Sequence, residues 1–298
     1  MPNAEEPFQL ALIQMPVSLD PDASLAHACG RVSDAADAGA DVVCLPELFR
    51  SPYFCQSEDP ANFDLAEPIP GPSTEALAEV ATDAGIVIVA PIFERRGAGL
   101  YHNSLAVIER DGSIAGVYRK MHIPDDPNYY EKYYFTPGDL GFRAIPTSAG
   151  KLGTLICWDQ WYPEAARLTA LQGAPLLLYP TAIGWLPDEV GNDEGAAQRD
   201  AWMTVQRGHA IANNVFVAAV NRVGFEPAGG SGRDGIRFWG GSFVCDPQGR
   251  ILAQAGDEEE ILLATIEPAR VEASRRAWPF LRDRRIDAFE PLTRRFLD

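Results

Sequence analysis

The sequence has few of the residues on which metal centres and disulfide frameworks depend. Its 298 residues include four scattered histidines and five cysteines, and no two of the cysteines form a CxxC pair. An odd number of widely spaced cysteines argues against a disulfide framework or a zinc cluster, and it is typical of a reduced cytosolic protein. The chain also lacks a GxGxxG motif after a predicted strand, a Walker-type loop and an HExxH motif. We therefore expect neither a metal nor an organic cofactor.

Basic residues are in the minority, with 25 Lys and Arg against 42 Asp and Glu, so the formal net charge is −17. An acidic surface repels phosphate backbones and anionic lipid head groups, which argues against binding to nucleic acid or to a membrane surface. No window approaches the roughly 18 consecutive apolar residues that span a bilayer. Residues 1–10 lack the basic and apolar runs of a signal peptide. A cytoplasmic location is the expectation.

The basic residues are concentrated at the C-terminal end. From Arg270 onward there are eight arginines against five acidic residues, so this stretch carries +3 and the first 269 residues carry −20. Such a tail can pack on the acidic body of its own chain or on that of a neighbouring subunit. We therefore predict a main domain, residues 1–267, and a C-terminal tail, residues 268–298, that contacts another subunit.

Short β-rich runs alternate with helical stretches along the chain. The pattern predicts helices at residues 21–38, 73–84, 163–172 and 200–213. It predicts strands at residues 9–14, 41–45, 86–93, 105–109, 114–119, 151–156, 174–179, 216–221, 243–245, 251–255 and 261–266. So many strands would strain one open sheet. We predict a mixed α/β fold in which two sheets pack face to face with helices outside.

Three of the predicted strands are followed by polar or charged side chains that are unfavourable in an apolar core. The strand at 41–45 leads to Glu47, the strand at 114–119 leads to Lys120, and the strand at 151–156 leads to Cys157. Carboxyl ends of strands are the usual place for active sites in α/β proteins. An acid, a base and a thiol that arrive together favour a catalytic interpretation.

Cys157 differs from the other cysteines in its position. Cys29, Cys44 and Cys245 fall inside apolar helix or strand patterns and fit small buried side chains. Cys157 lies between a strand end and a helix that begins near Pro163, where a helix dipole would lower the pKa of the thiol. Backbone N–H groups of such a turn can also bind an oxyanion.

Glu47 and Lys120 leave two interpretations open. Taken alone, Glu47 could be an exposed loop acid, but its apolar neighbours favour a desolvated carboxylate that can act as a general base. Lys120 is one of only three lysines, beside 22 arginines, and a compact ammonium is easier to tune than a guanidinium. A plain solvated charge is an equally good interpretation of Lys120 on this evidence.

Three motifs together resemble the nitrilase, or carbon–nitrogen hydrolase, superfamily. They are Leu45-Pro-Glu-Leu-Phe49, Tyr118-Arg-Lys-Met-His-Ile-Pro124, and Gly153-Thr-Leu-Ile-Cys-Trp-Asp159 with Pro163-Glu164. The resemblance implies a single-domain, four-layer αββα sandwich, a homo-oligomer, and hydrolysis of a non-peptide carbon–nitrogen bond by a thiol. It assigns the general base to Glu47, the cation for the oxyanion to Lys120, the nucleophile to Cys157, and a second glutamate to Glu131.

Within the superfamily, four stretches look most like the N-carbamoylputrescine amidases, which release ammonia and carbon dioxide from a ureido group. These stretches are residues 53–56, 120–139, 157–164 and 179–184. The resemblance implies a small ureido or amide substrate with a cationic end. Aromatic side chains could line an alkyl channel, and loop aspartates could receive an ammonium: Tyr53, Tyr129, Trp158, Asp125, Asp126 and Asp139.

The chain departs from that subfamily at Trp185-Leu186-Pro187, where Ser-Glu-Pro is typical. Asp188 or Glu189 could replace the missing glutamate, or the substrate could differ. A β-ureidopropionase or an ω-amidase is therefore the alternative. Relatives that act on carbamoyl amino acids often carry arginines just after the cysteine, and this chain has Asp159, Gln160 and Trp161 there.

Overall fold

The structure is a computed structural model, and it describes residues 6–228 and 234–297. The glycine-rich stretch from Gly224 to Gly241 reads from the sequence as a flexible loop, and this interpretation is wrong for the strands Val223–Pro227 and Gly235–Trp239, whereas residues 229–233 lie outside the described residues. The strands, in chain order, are β1 Phe8–Gln14, β2 Val42–Cys44, β3 Val87–Gly97, β4 Leu100–Ile108, β5 Ile114–Arg119, β6 Arg143–Thr147, β7 Gly150–Thr154, β8 Leu176–Pro180, β9 Gly184–Trp185, β10 Phe216–Val220, β11 Val223–Pro227, β12 Gly235–Trp239, β13 Phe243–Cys245, β14 Ile251–Gln254 and β15 Glu260–Ile266. The helices are α1 Pro21–Asp37, α2 Pro72–Ala84, α3 Glu131–Tyr134, α4 Pro163–Leu171, α5 Asp193–Asn213 and α6 Pro268–Ala277.

The strands form two six-stranded sheets and one small sheet. The first sheet has the order β15-β1-β2-β3-β4-β5, and the second has the order β14-β13-β10-β8-β7-β6. The small sheet joins β11, β12 and β9. Strands β1, β2 and β3 are parallel to one another, as are β7, β8 and β10, whereas the outer strands pair antiparallel.

The two large sheets pack face to face and share one core. On β1, Leu10 and Leu12 belong to this central core, whereas Ala11 and Ile13 face the other way and pack with α1 and α2. This alternation is the two-residue period of a strand that is buried on both faces. Helices α4 and α5 add buried side chains to the core from the side of the second sheet. The predicted α/β sandwich of two sheets with outer helices is confirmed.

Local sequence signals account for the helix ends. Asp20 caps α1 by accepting a hydrogen bond from the backbone of Asp22, and Pro21 occupies the first turn. Helix α2 ends at Gly85, which has φ of 67° and so adopts the left-handed conformation that glycine tolerates best. Helix α5 begins at Asp193, seven residues before its predicted start, because Asn192 caps it.

Four strands were missed by the sequence patterns: β6, β9, β11 and β12. Strand β6 contains Pro146 and lies at the edge of its sheet, where a missing N–H is tolerated. Strand β9 has only two residues, and its existence depends on pairing with Arg237 and Phe238 of β12. Period-two patterns cannot indicate strands this short.

The C-terminal tail begins as part of the body. Helix α6 buries Val271 in the central core, and Arg270 forms an ion pair with Asp246 at 2.6 Å. After α6 the chain exposes several large apolar side chains: Trp278, Phe280, Ile286, Phe289, Leu292, Phe296 and Leu297. The boundary at residue 268 and the subunit contact stay predictions. None of the helices in residues 6–228 and 234–297 is long and apolar enough to cross a membrane.

Candidate active site

Lys120 lies between two carboxylates. Its Nζ is 2.7 Å from Oε1 of Glu47 and 2.6 Å from Oε2 of Glu131. All three side chains are completely buried. Lys120 follows the last residue of β5, and its backbone N–H donates to the carbonyl of Asn103 on β4, so the sheet itself sets its position.

The two carboxylate oxygens of Glu47 have different surroundings. Oε1 accepts hydrogen bonds from Nδ2 of Asn103 at 2.7 Å and from Lys120. Oε2 is buried and has no hydrogen-bond partner among the described residues. Buried polar atoms are normally paired, and an exception calls for an explanation. An unpaired carboxylate oxygen in a buried site is free to accept a proton.

Cys157 occupies a strained position at the start of a short 3₁₀ turn, Cys157–Trp161. Its φ is 41°, a left-handed value that residues other than glycine rarely adopt. The Asp159 side chain holds the turn, because its Oδ2 accepts hydrogen bonds from the Ile156 N–H at 3.0 Å and from the Tyr118 hydroxyl at 2.6 Å. The first N–H groups of such a turn lack partners within it, so the Trp158 N–H can face an oxyanion.

The predicted lowering of the Cys157 pKa is wrong. Burial raises the pKa of this thiol well above its usual value, the charge of Glu47 raises it further, and Lys120 only partly opposes them. Helix α4, whose dipole was expected to lower this pKa, begins at Pro163, and a 3₁₀ turn separates it from the thiol. Cys157 therefore rests as a neutral thiol and needs a base to become a nucleophile.

The lysine and the second glutamate have shifted pKa values as well. Burial disfavours the charged form of Lys120, but the charges of Glu131 and Glu47 prevail and raise its pKa well above the usual value. Burial raises the pKa of Glu131 to about 7 against the opposing charge of Lys120, and Glu47 raises it too. Lys120 thus stays an ammonium, and Glu131 titrates near neutral pH.

A cavity of about 410 Å³ leads to Cys157. Aromatic side chains form much of its wall: Tyr129, Trp158, Trp161 and Trp239. Acidic side chains supply its charge: Asp126, Glu131 and Glu189. Among the described residues, no lysine, arginine or histidine lines it. The cavity is therefore suited to an apolar chain that carries a positive charge.

A family model described as carbon-nitrogen hydrolase matches residues 9–276. The chain belongs to the carbon–nitrogen hydrolase family. It is 43% identical to an N-carbamoylputrescine amidase of Solanum lycopersicum, covering 95% of this chain and 94% of that protein. It is 40% identical to a citrullinase of Francisella tularensis, covering 97% and 99%. A solved carbon–nitrogen hydrolase of Helicobacter pylori G27 matches with a TM-score of 0.95 and 49% identity, covering 98% and 100%. The predicted superfamily and hydrolase class are confirmed.

The candidate substrate-binding residues of this carbon–nitrogen hydrolase fall into different places. Tyr129 and Trp158 line the cavity. Tyr53 is buried behind it, where its hydroxyl donates to Oε1 of Glu131 at 2.6 Å. Asp125 is exposed and does not line the cavity, and Asp139 forms an ion pair with Arg119 at 2.8 Å.

Glu189 lines the cavity shortly after Trp185-Leu186-Pro187, the segment where the chain departs from the pattern of the carbamoylputrescine amidases. Its Oε2 accepts a hydrogen bond from the Leu186 N–H at 2.8 Å, and its Oε1 accepts one from Nε2 of Gln198 at 2.5 Å. Both donors are neutral, so the negative charge of the carboxylate is not compensated. The sequence suggested Glu189 only as one of two replacements for the glutamate of the usual pattern.

Several residues of the site were not found from the sequence: Asn103, Trp161, Gln198 and Trp239. Asn103 was detectable in principle, because a polar residue inside an apolar strand is unusual, whereas Trp239 carried no signal at all. Within residues 6–228 and 234–297, no group of three or more His, Cys, Asp or Glu side chains is arranged to hold a metal ion.

Proposed function

We propose that this chain hydrolyses the ureido group of N-carbamoylputrescine to ammonia, carbon dioxide and putrescine. One observation carries the proposal: the cavity that ends at Cys157 has aromatic walls and acidic groups, and no basic side chain of the described residues lines it. A ureido group attached to an alkyl chain with a terminal ammonium complements such a cavity. The similarity to the Solanum lycopersicum amidase supports the same substrate.

In the first half of the reaction, Oε2 of Glu47 takes the thiol proton while the sulfur of Cys157 attacks the ureido carbon. Two of the three N–H groups of the Lys120 ammonium are used by Glu47 and Glu131, so the third is available for the oxyanion. The Trp158 N–H is the second donor. The tetrahedral intermediate then expels ammonia with the proton carried by Glu47, and a thiocarbamate remains on Cys157.

In the second half, water attacks the thiocarbamate carbon. Glu47 takes a proton from this water and returns it to the departing sulfur of Cys157. The product is a carbamic acid on the former ureido nitrogen, which loses carbon dioxide to leave putrescine. Glu131 keeps Lys120 charged and oriented throughout, because their side chains are 2.6 Å apart in a fully buried site.

The distal ammonium is held by Glu189, with Asp126 as a second acidic wall of the cavity. Tyr129 lines the same cavity as Cys157 and Glu189. The substrate chain therefore runs along Tyr129 from the thiol to Glu189.

Substrates with a carboxylate fit this cavity poorly. N-carbamoyl-β-alanine, the β-ureidopropionase substrate, would place its carboxylate near acidic side chains, and the same holds for the anionic substrates of ω-amidases. Citrulline carries both an ammonium and a carboxylate, and the second group would lack a partner. Repulsion between like charges in a poorly solvated cavity is a strong basis for discrimination.

The protein is further proposed to act in the cytoplasm as a homo-oligomer. In support, all five cysteines are free thiols in the structure, and the segment after α6 exposes large apolar side chains. A disulfide-free chain fits a reducing compartment, and exposed apolar side chains grouped on one segment are typical of a contact surface.

Ammonia release from four compounds tests the substrate: N-carbamoylputrescine, n-pentylurea, N-carbamoyl-β-alanine and citrulline. Pentylurea replaces the ammonium by a methyl group and keeps the length. We expect kcat/KM to be about 10–100-fold higher for N-carbamoylputrescine than for pentylurea, because only the cation gains from Glu189. A higher kcat/KM for N-carbamoyl-β-alanine or citrulline than for N-carbamoylputrescine would overturn the proposal.

A further inference from the structure

Arg222 is a completely buried arginine in the connection between β10 and β11. A buried guanidinium requires compensation of its charge and hydrogen bonds for its N–H groups. Its Nη1 donates to Oε1 of Glu226 at 2.7 Å, which supplies the charge. Neither side chain lines the cavity that leads to Cys157.

The same guanidinium binds the backbone that carries the general base. Its Nη2 donates to the carbonyl of Glu47 at 2.8 Å and to the carbonyl of Leu48 at 2.7 Å. Leu48 has φ of 50°, a left-handed value that a leucine rarely adopts. Two successive carbonyls thus turn toward one cation, and this contact favours the unusual turn directly after Glu47.

Glu226 links Arg222, through Tyr53, to Glu131, the second carboxylate that contacts Lys120. Its Oε2 accepts a hydrogen bond from the Tyr53 N–H at 2.6 Å. The Tyr53 hydroxyl in turn donates to Glu131 at 2.6 Å. With the Lys120 contacts, these bonds close a ring of six residues: Glu47, Lys120, Glu131, Tyr53, Glu226 and Arg222.

We propose that Arg222 and Glu226 are positioning residues that set the placement of Glu47 and Glu131 around Lys120. They act through the backbone of Glu47 and of Tyr53, and they thereby fix where the unpaired Oε2 of Glu47 lies. The inference rests on the proposed role of Glu47 as the base, and it is independent of the identity of the substrate. Because neither residue touches the cavity, their loss should reduce the rate of thiol activation and leave substrate affinity nearly unchanged.

A purely structural role is the competing explanation. Breaking a buried ion pair lowers the stability of a protein wherever the pair lies. A structural role predicts a lower melting temperature with kcat preserved in the folded fraction. A positioning role predicts a lower kcat below the melting temperature, because small displacements of a catalytic group are costly to the rate.

The experiment compares Arg222→Lys and Glu226→Gln with the unmodified chain. Arg222→Lys keeps the charge but loses the forked donors, and Glu226→Gln keeps the size but loses the charge. Kinetics of ammonia release give kcat and KM, and alkylation of Cys157 by iodoacetamide, followed by mass spectrometry from pH 6 to 9, reports thiol activation without any ureido substrate. Arg270→Lys is the matched control, because it alters the ion pair with Asp246 at α6.

We expect kcat and the alkylation rate at pH 7 to fall about 100-fold in both variants, with KM within about threefold, because a misplacement near 1 Å has such effects. The control should retain both rates. The proposal is overturned if either folded variant retains kcat and the alkylation profile, or if KM alone changes. If Arg222→Lys does not fold, kcat and the alkylation rate of Glu226→Gln alone test the proposal. Alkylation separates the two proposals, since a wrong substrate assignment leaves it unaffected.

Discussion

At the scale of the residue, Glu47 combines a fixed oxygen with a free one. Oε1 is held by Asn103 and Lys120, and Oε2 has no partner among the described residues. A carboxylate fixed in this way can accept a proton on Oε2 without moving, and it remains close enough to Lys120 to keep that ammonium charged. Because the pKa of the Cys157 thiol is raised, little thiolate is present at neutral pH, and the proposed nucleophilic role of Cys157 requires such a base.

Glu189 offers the clearest test of specificity by a single residue. We expect Glu189→Gln to lower kcat/KM for N-carbamoylputrescine by about 10–100-fold, since a hydrogen bond to a charged group contributes about 1.5–3 kcal/mol. The same variant should change kcat/KM for n-pentylurea by less than about threefold, because a neutral tail gains little from a charge. Steady-state ammonia release measures kcat/KM of the variant and of the unmodified chain for both compounds.

The neighbouring Asp188→Asn provides the matched control for this test, because Asp188 does not line the cavity. Asp188→Asn should leave kcat/KM unchanged for both N-carbamoylputrescine and n-pentylurea. An equal loss on the two substrates in Glu189→Gln would instead indicate disturbance of the turn that the Leu186 N–H bond stabilises.

Residue positions differed in how far the sequence could predict them. Glu47, Lys120 and Cys157 were predictable because each follows the end of a strand, and chain order alone reveals that. The direction of the Cys157 pKa shift was not predictable, because it is set by burial and by the charge of Glu47, a residue far away in the sequence. Arg222 showed no local signal either, since its partners are 4 to 175 residues away in the chain.

At the scale of the element, the strands bring the residues of the candidate site together. Close contacts with neighbouring elements limit which side chains these strands can accommodate. Strand β7 precedes Cys157 and contains Gly153, which pairs with Leu177 of β8. A Cβ at residue 153 would lie 2.7 Å from Cδ2 of Leu177, 2.9 Å from the Leu176 carbonyl oxygen and 2.9 Å from Cγ2 of Thr169. Glycine therefore lets α4 approach the strand that precedes Cys157.

We predict that Gly153→Ala lowers the free energy of unfolding by about 1–3 kcal/mol, as overpacking of a close-packed core does. Urea unfolding followed by circular dichroism measures the change. Gly208→Ala on the exposed side of α5 is the matched control, because no atom lies within 4 Å of its Cβ. That control should stabilise the protein by up to about 1 kcal/mol through helix propensity. Equal stabilities of the two variants would contradict the close approach of α4.

Elements with a strong apolar pattern were predicted well, and those without one were not. The buried strands of both large sheets and the helices α1, α2 and α4 were all predicted within a few residues. The small sheet was missed because β11 and β12 lie within a glycine-rich stretch that reads as a loop, and because β9 has only two residues, which pair with β12 about 50 residues further along the chain. This missed sheet brings Trp239 to the cavity and Glu226 to its ion pair with Arg222, so the sequence could predict the positions of Glu47, Lys120 and Cys157 but not all of their surroundings.

At the scale of the whole molecule, charge and apolar surface are segregated. The residues from Arg270 to the end carry +3 while the rest of the chain carries −20. The segment after α6 is also where exposed apolar side chains accumulate, with Ile286 at 72%, Leu292 at 65% and Phe296 at 83% exposure. The segment itself, residues 278–298, has five arginines against four acidic residues, so its exposed apolar side chains, more than its net charge of +1, favour association between two copies of the chain.

We predict that a variant ending at Ala277 forms a smaller assembly than the full chain. Helix α6 is retained in this variant, because Val271 and the Arg270–Asp246 pair belong to the body. Size-exclusion chromatography with light scattering measures the molar mass, and thermal unfolding of both forms checks that the body remains folded. An identical molar mass for both forms would show that the tail packs on its own body, in which case its loss should lower the melting temperature of the monomer.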